Sequence, residues 1–238
     1  MSLSAPISVL KSRARSLKRT ARIPMCQALD RVARQEGYAS WSLLVAQAAP
    51  KLTLEPWQRL KTGELVLVGA RRGHGKTKCA LGIALSAMRR GHKAWYFSLE
   101  NDPPDLTRVF RSIAAQPTEI ADKLVLDATD GICARYITQQ LSGSVAPGSV
   151  VVIDYLQLLD QRRSAPELQS QVQELRAFAR QTGCVLVAIA QVHRSFDAER
   201  RRLPEPKDVR LLNPVDLRLF DKSVFLHAGR SRFGALTA

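Results

Sequence analysis

The spacing of apolar positions changes partway along the chain. Between Pro24 and Gln47, Ala28, Leu29, Val32 and Ala33 recur at three- and four-residue intervals, and Gly37 supplies a stop. A second short helix is predicted from Ser40, with Trp41, Leu43, Leu44 and Ala46 on it. This helical hairpin is too small to bury much by itself. Ala49-Pro50 ends it, and Lys51 to Lys61 reads as a linker. From Gly63 the apolar residues gather instead into short continuous runs. Leu65–Gly69, Lys93–Leu99, Lys123–Leu126, Val150–Asp154, Cys184–Gln191 and Ser223–Ala228 are predicted strands. Helical stretches separate them: Lys76 to about Arg90, one opened by Asp102-Pro103, one near 130–141 and one near 166–182. Runs without polar alternation belong to strands buried on both faces. Their alternation with helices predicts an α/β fold, with a mainly parallel sheet between helices. The expected organisation is a mobile or partly helical basic arm over 1–22, a helical hairpin over 23–50, a linker over 51–62 and the α/β domain over 63–238.

Composition adds a partner class. The 238 residues are 45% hydrophobic, enough for a core, yet the formal net charge is +15. Such a surface attracts polyanions, nucleic acid first and anionic membrane second. Six bases (Lys11, Arg13, Arg15, Lys18, Arg19 and Arg22) precede the first carboxylate, Asp30. Cys26, Cys79, Cys133 and Cys184 show neither CxxC pairing nor histidines at ligand spacing, against disulfide and zinc readings. There is no membrane-length apolar stretch and no secretory h-region, so a cytoplasmic protein without a membrane partner is expected.

The strongest chemical signal follows the first predicted strand: Ala70-Arg71-Arg72-Gly73-His74-Gly75-Lys76-Thr77, with Lys78 next. A triphosphate needs backbone N–H groups curled around it, a helix N-terminus aimed at it and a cation. Gly73 and Gly75 permit the curl, Lys76 reaches the β- and γ-phosphates, and Thr77 ligates Mg²⁺. The first position of the usual pattern is glycine and here is Ala70. The strand Val150-Val151-Val152-Ile153-Asp154 ends in a carboxylate that can serve the same Mg²⁺. Glu100, closing Trp95-Tyr96-Phe97-Ser98-Leu99, is a candidate general base for the attacking water. Gln191, at the end of Val185–Ala190, is similarly placed to sense the γ-phosphate.

Together these segments resemble the RecA-like motor domain of DnaB-type replicative helicases, over about residues 63–230. Ala70-Arg71 and Gly75-Lys76-Thr77 are similar to that family's loop, which tolerates alanine first. Phe97-Ser98-Leu99-Glu100 resembles the segment bearing its catalytic glutamate, and Ile153-Asp154-Tyr155-Leu156-Gln157-Leu158 its metal-site segment. Ala190-Gln191-Val192-His193-Arg194-Ser195, Asp208-Val209-Arg210 and Asp221-Lys222-Ser223-Val224-Phe225-Leu226 are similar to three later motifs, in order. The resemblance implies an ATP- and Mg²⁺-dependent enzyme acting on single-stranded DNA in replication, with a homo-oligomer and a replication protein as further partners. It does not extend to the family's large N-terminal helical domain. Gly229-Arg230-Ser231-Arg232 is read as a shortened form of the family's trans-acting basic finger, making Arg230 and Arg232 candidates and leaving hexamer assembly and unwinding open. Two other readings stand beside the helicase: a nucleotide-controlled DNA-binding loader or regulator, and a DNA-independent RecA- or KaiC-like switch. Candidate DNA contacts are Arg162 and Arg163, after the metal-site strand, and Arg194, Arg200, Arg201 and Arg202. The segment from Gln27 through Gly37-Tyr38 and Trp41 to Leu44 resembles small hairpins on bacterial, often plasmid-borne, proteins.

Overall fold

A computed structural model describes residues 3–5, 7–48, 59–98, 103–113, 120, 122–129, 131–160, 166–193, 195–196, 203–211 and 213–236. The chain divides into two compact units, Met1–Lys51 and Leu52–Ala238. The first holds α1 (Ile7–Ala21), α2 (Met25–Gln35) and α3 (Trp41–Ala48). Most of the stretch expected to be a mobile or partly helical arm is a helix, whose Leu10 and Ala14 are fully buried in a cluster with Ala28, Val32, Ala33 and Leu44. A third helix supplies the apolar surface that a hairpin alone lacks. Asp30 adds a polar tie, its carboxylate accepting from the Trp41 amide at the start of α3.

In the second unit the elements run β1 (Leu65–Ala70), α4 (Lys76–Arg89), β2 (Ala94–Ser98), α5 (Pro103–Ser112), β3 (Leu124–Asp127), α6 (Ala134–Leu141), β4 (Val150–Asp154), α7 (Leu168–Thr182), β5 (Val185–Gln191), β6 (Lys222–His227) and β7 (Arg230–Ala235). The strands form one sheet in the order β3-β2-β4-β5-β1-β6-β7. All pairs are parallel except β6 with β7. Side chains alternate across the sheet, as a period of two requires. Val66, Val68, Tyr96, Val152 and Val187 face a layer containing α4 and α5. Leu65, Leu67, Phe97, Ile153 and Leu186 face one containing α6 and α7. With both faces covered, β1, β2 and β4 are buried at every residue, so their sequences carry no polar alternation.

Helix α4 lies so deep that Cys79 through Met88 are all buried. Burial pushes the Cys79 thiol up to about 12, the behaviour of an inert core cysteine. All four cysteines are free thiols. Among the described residues no helix is long and apolar enough to cross a membrane.

The last strand was not expected. After His227 the chain turns through Ala228 (φ 46°) and Gly229 (φ 79°) and runs back as β7. Two positive φ values in a two-residue turn match the right-handed twist of a tight hairpin. The residues read as a shortened finger therefore begin an edge strand. Its Phe233 packs on the first core layer and lies under the Arg59 guanidinium, 4.5 Å from the ring centroid.

Close packing of β1 on β6 depends on Gly69. A Cβ there would lie 2.5 Å from Cε1 of Phe225, whose ring is buried. Gly69→Ala is expected to destabilise the α/β unit by about 1–3 kcal/mol, the range for overpacking a filled core. A lower urea midpoint with unchanged slope would show it; an unchanged midpoint would mean that the ring moves aside freely.

Candidate nucleotide site

The carboxyl edge of a parallel sheet is where an α/β fold binds ligands. Register brings the sequence-predicted groups to that edge. Ala70 is the partner of Gln191 on one side and of Leu226 on the other. Ser98, the last residue of β2, is the partner of Asp154. The loop 71–75 then leads from β1 into α4, whose N-terminal amides face the same edge.

Within this loop Gly73 and Gly75 adopt φ of 79° and 88°. A Cβ at either would meet nothing within 4 Å, so backbone conformation rather than crowding requires glycine. Left-handed turns of this kind direct consecutive N–H groups toward one side, a nest for an anion. Lys76, at the first helical turn, is only 8% exposed, and its charge therefore acts inside the site rather than in bulk water.

One residue later, Thr77 donates its hydroxyl to Oδ2 of Asp154 at 3.3 Å. Asp154 is fully buried and also accepts from the Tyr96 hydroxyl. A hydroxyl and a carboxylate side by side are hard oxygen donors. They suit Mg²⁺, which uses one or two carboxylates, substrate phosphate oxygens and retained waters. Tyr96 escaped the sequence reading because it looked like core. The available signal was a polar-tipped aromatic in a strand otherwise buried and next to the carboxylate strand.

The segments after β4 and β5 are also joined. The Gln157 side-chain amide donates to the Arg210 carbonyl. Arg210 N–H donates to the Gln191 carbonyl at 2.7 Å, and His193 N–H to the Asp208 carbonyl at 2.7 Å. Val192 N–H reaches the Ala70 carbonyl at 3.0 Å. Three motifs separated in sequence thus share one backbone network against the start of the phosphate loop.

His74 was expected in the loop, but its pairing with His227 was not. His74, in the loop, stacks on His227, at the end of β6, with ring centroids 4.5 Å apart and 17° between planes. His227 meets Phe196 edge-on at 5.2 Å. Nδ1 of His74 accepts the Ala228 N–H at 3.1 Å, which requires that nitrogen to be unprotonated. Burial lowers the pKa of both imidazoles. The His227 charge, then Arg71 and Lys76, push His74 further down, and Arg71 does so for His227. No sequence spacing links positions 74 and 227; only the β1–β6 pairing does.

Of the other candidates, Arg71 and Lys78 are half-buried and Arg72 is exposed in the loop region. Arg230 is exposed on β7. Arg232 donates to the Pro204 carbonyl at 3.1 Å and lies 3.9 Å from Glu205. Glu100, Arg162, Arg163, Arg194, Arg200, Arg201 and Arg202 lie outside the described residues.

Residues 104–212 match the family described as DnaB-like helicase C terminal domain. The matched stretch takes in Asp154, Gln191 and Asp208-Val209-Arg210; the phosphate loop precedes it. No curated protein matches the chain in sequence. Among solved structures the chain is similar to an ATPase domain, with 20% identity and a TM-score of 0.55 over 69% of each chain. It is also similar to a DnaB-like replicative helicase described with its interactions with primase. That match has 16% identity and a TM-score of 0.60, over 92% of this chain and 64% of the other. A KaiC-like protein from the hyperthermophilic archaeon Pyrococcus horikoshii matches at 17% identity and a TM-score of 0.51, over 68% and 70%. At these identities the structural likenesses establish the RecA-like fold.

The lowered histidine pKa values set a pH dependence. Above about the ordinary value of 6.5 both rings are neutral in either state and cost nothing. As pH falls below 6.5 the unfolded chain takes up protons before the folded one, so stability drops. His227→Phe keeps a stacking ring without a titrating nitrogen. The variant is expected to lose less melting temperature than the parent between pH 7.5 and 5.5; equal losses would remove the pair as the cause.

Proposed function

From the match of residues 104–212 to the DnaB-like helicase C terminal domain and from the RecA-like fold, we propose that the chain hydrolyses ATP with Mg²⁺ and couples turnover to single-stranded DNA. The observation that carries the proposal is the contact of Thr77 with buried Asp154 at the edge of the sheet, next to the glycine loop and Lys76. Loop amides and the α4 N-terminus bind the phosphates, and Lys76 balances their charge. Thr77 and Asp154 hold Mg²⁺, which when bound neutralises charge developing on the phosphate oxygens. Tyr96, donating to Asp154, keeps that carboxylate oriented.

Glu100 is assigned as general base. It follows two residues after Ser98, and Ser98 neighbours Asp154 across the β2–β4 pairing, which supports the assignment. Gln191 is assigned as the γ-phosphate sensor. Its strand position opposite Ala70 and its carbonyl bond to Arg210 would pass a change at the phosphates to the segments after β4 and β5. Those segments lead to Arg162 and Arg163 and to Arg194, Arg200, Arg201 and Arg202, the proposed contacts to the DNA backbone. A homo-oligomer in which Arg230 reaches a neighbouring site belongs to the same proposal. Arg232 is the weaker finger, because Pro204 and Glu205 already engage it.

ATP turnover with and without single-stranded DNA tests the reading. Glu100→Gln is expected to lower kcat by about 10²–10⁴-fold, the usual worth of a general base. Lys76→Ala should abolish turnover through loss of phosphate binding, with the fold retained. Turnover unchanged by either substitution would overturn the enzyme. Turnover indifferent to DNA at low salt would favour a KaiC-like switch, and DNA-stimulated turnover without strand displacement on a forked duplex a loader.

A further inference from the structure

None of the residues assigned to the nucleotide site comes from the Met1–Lys51 unit, yet the charge of that unit is strongly one-signed. Over residues 1–48 it has eight bases, Lys11, Arg13, Arg15, Lys18, Arg19, Arg22, Arg31 and Arg34, against two acids. Both acids are committed to holding the helices together. Asp30 accepts from the Trp41 amide at 2.9 Å. Glu36 accepts from the Ser4 amide at 2.7 Å and from the Ser4 hydroxyl, bonds that hold its carboxyl below the usual carboxylate range. Arg13 sits 3.9 Å from that same carboxylate.

The remaining bases of α1 are sorted by helix geometry. Leu10, Ala14 and Leu17 mark the face turned to the unit's own core. At about 100° per residue, Lys11, Arg15, Lys18 and Arg19 fall together within an arc of about 100° beside that face, whereas Arg13 falls on the opposite flank with Glu36. All four are exposed, and they span about 12 Å along the axis at the helical rise. Lys18 and Arg19 occupy the last turn, where cations favour the helix dipole. Lys11 and Arg15 lie outside that turn, so the dipole does not account for them.

We propose that this ridge of Lys11, Arg15, Lys18 and Arg19 is a second nucleic-acid docking surface, binding the phosphate backbone independently of nucleotide and of sequence. Charge complementarity commits it to a polyanion. An interfacial membrane helix needs a broad apolar face to insert, but Leu10, Ala14 and Leu17 are turned into their own unit and Val9 is an isolated exposed apolar side chain. A protein partner needs aromatic or aliphatic anchors at its centre, and the ridge holds only cations. Four exposed cations on one side of a helix, two of them arginines, suit a run of phosphates.

The test uses the full chain without nucleotide and a fluorescent single strand, titrated from 50 to 200 mM salt. Replacing Lys11, Arg15, Lys18 and Arg19 together by Gln, a good helix former, should make the slope of log K against log salt shallower by about three. The parent then loses about fifty-fold more affinity across that range than the variant. Basal ATP turnover without DNA stays unchanged, which separates this surface from the nucleotide site. A charge-matched pair compares Lys18→Gln/Arg19→Gln with Arg89→Gln/Arg90→Gln at the far end of α4, with circular dichroism confirming the fold. Equal slope changes in the two pairs, or no change in the fourfold variant, would overturn the proposal. Loss of binding to phosphatidylserine vesicles with DNA binding intact would overturn it in favour of a membrane.

Discussion

The structure depends on one constraint: β1 must be buried on both faces and paired on both edges. That strand sits between β5 and β6, and its last residue, Ala70, is fixed opposite Gln191 and Leu226. Everything chemical follows from where the chain leaves this strand. The loop 71–75 curls where the register ends, and α4 returns over a face that is apolar until Ser98 and Asp154 at the sheet edge, so its N-terminus points at that edge. Asp221 reinforces the other end of the same strand. Its buried carboxylate accepts from the Leu65 amide at 2.9 Å and from Arg180 at 2.6 Å, tying β1 to β6 and α7. A buried charge held in this way is costly to disturb, since removing a partner strands the other.

From that constraint a continuous path leaves the phosphate loop. His74 stacks on His227, His227 meets Phe196, and Phe196 stands just after β5, at the start of the arginine-rich segment. Alongside runs the backbone network of Ala70, Gln191, Val192 and Arg210, closed by Gln157. Rings in contact and carbonyls in register have few alternative arrangements, and this suits them to transmit a small displacement at the phosphates. Neutral histidines belong in such a path. A charged His74 would surrender its bond from Ala228 and face Arg71, Lys76 and His227 together.

Cations appear in two distinct settings. In the α/β unit the cations proposed to meet nucleotide or DNA belong to the loop after β1 or to segments that follow other strands in sequence. In the helical unit they stand on α1, which carries no acid, while Asp30 and Glu36 of the same unit are engaged elsewhere. A positive field of this kind draws polyanions at long range and is screened by salt, whereas the buried Lys76 is screened far less.

The sequence by itself determined the α/β class, the strands from β1 to β6 and the glycine-bearing turn between β1 and α4. Each of these rests on local physics: apolar runs, glycine φ values and helix caps. It also brought Thr77 and Asp154 forward as one pair, because strand-end positions in a parallel sheet converge on one edge. The tertiary structure alone decided the order of strands, and therefore that residues 74 and 227, or 157 and 210, meet at all. It decided that the arm, foreseen as mobile or partly helical, is a packed helix, since Leu10 and Ala14 are buried against residues of α2 and α3. It also made 230–235 a strand, whose exposed, charged residues carry no buried pattern and pair only through the Ala228-Gly229 turn. Contacts between segments distant in sequence leave no periodic trace in either of them, and it is these contacts that join the phosphate loop to the rest of the site.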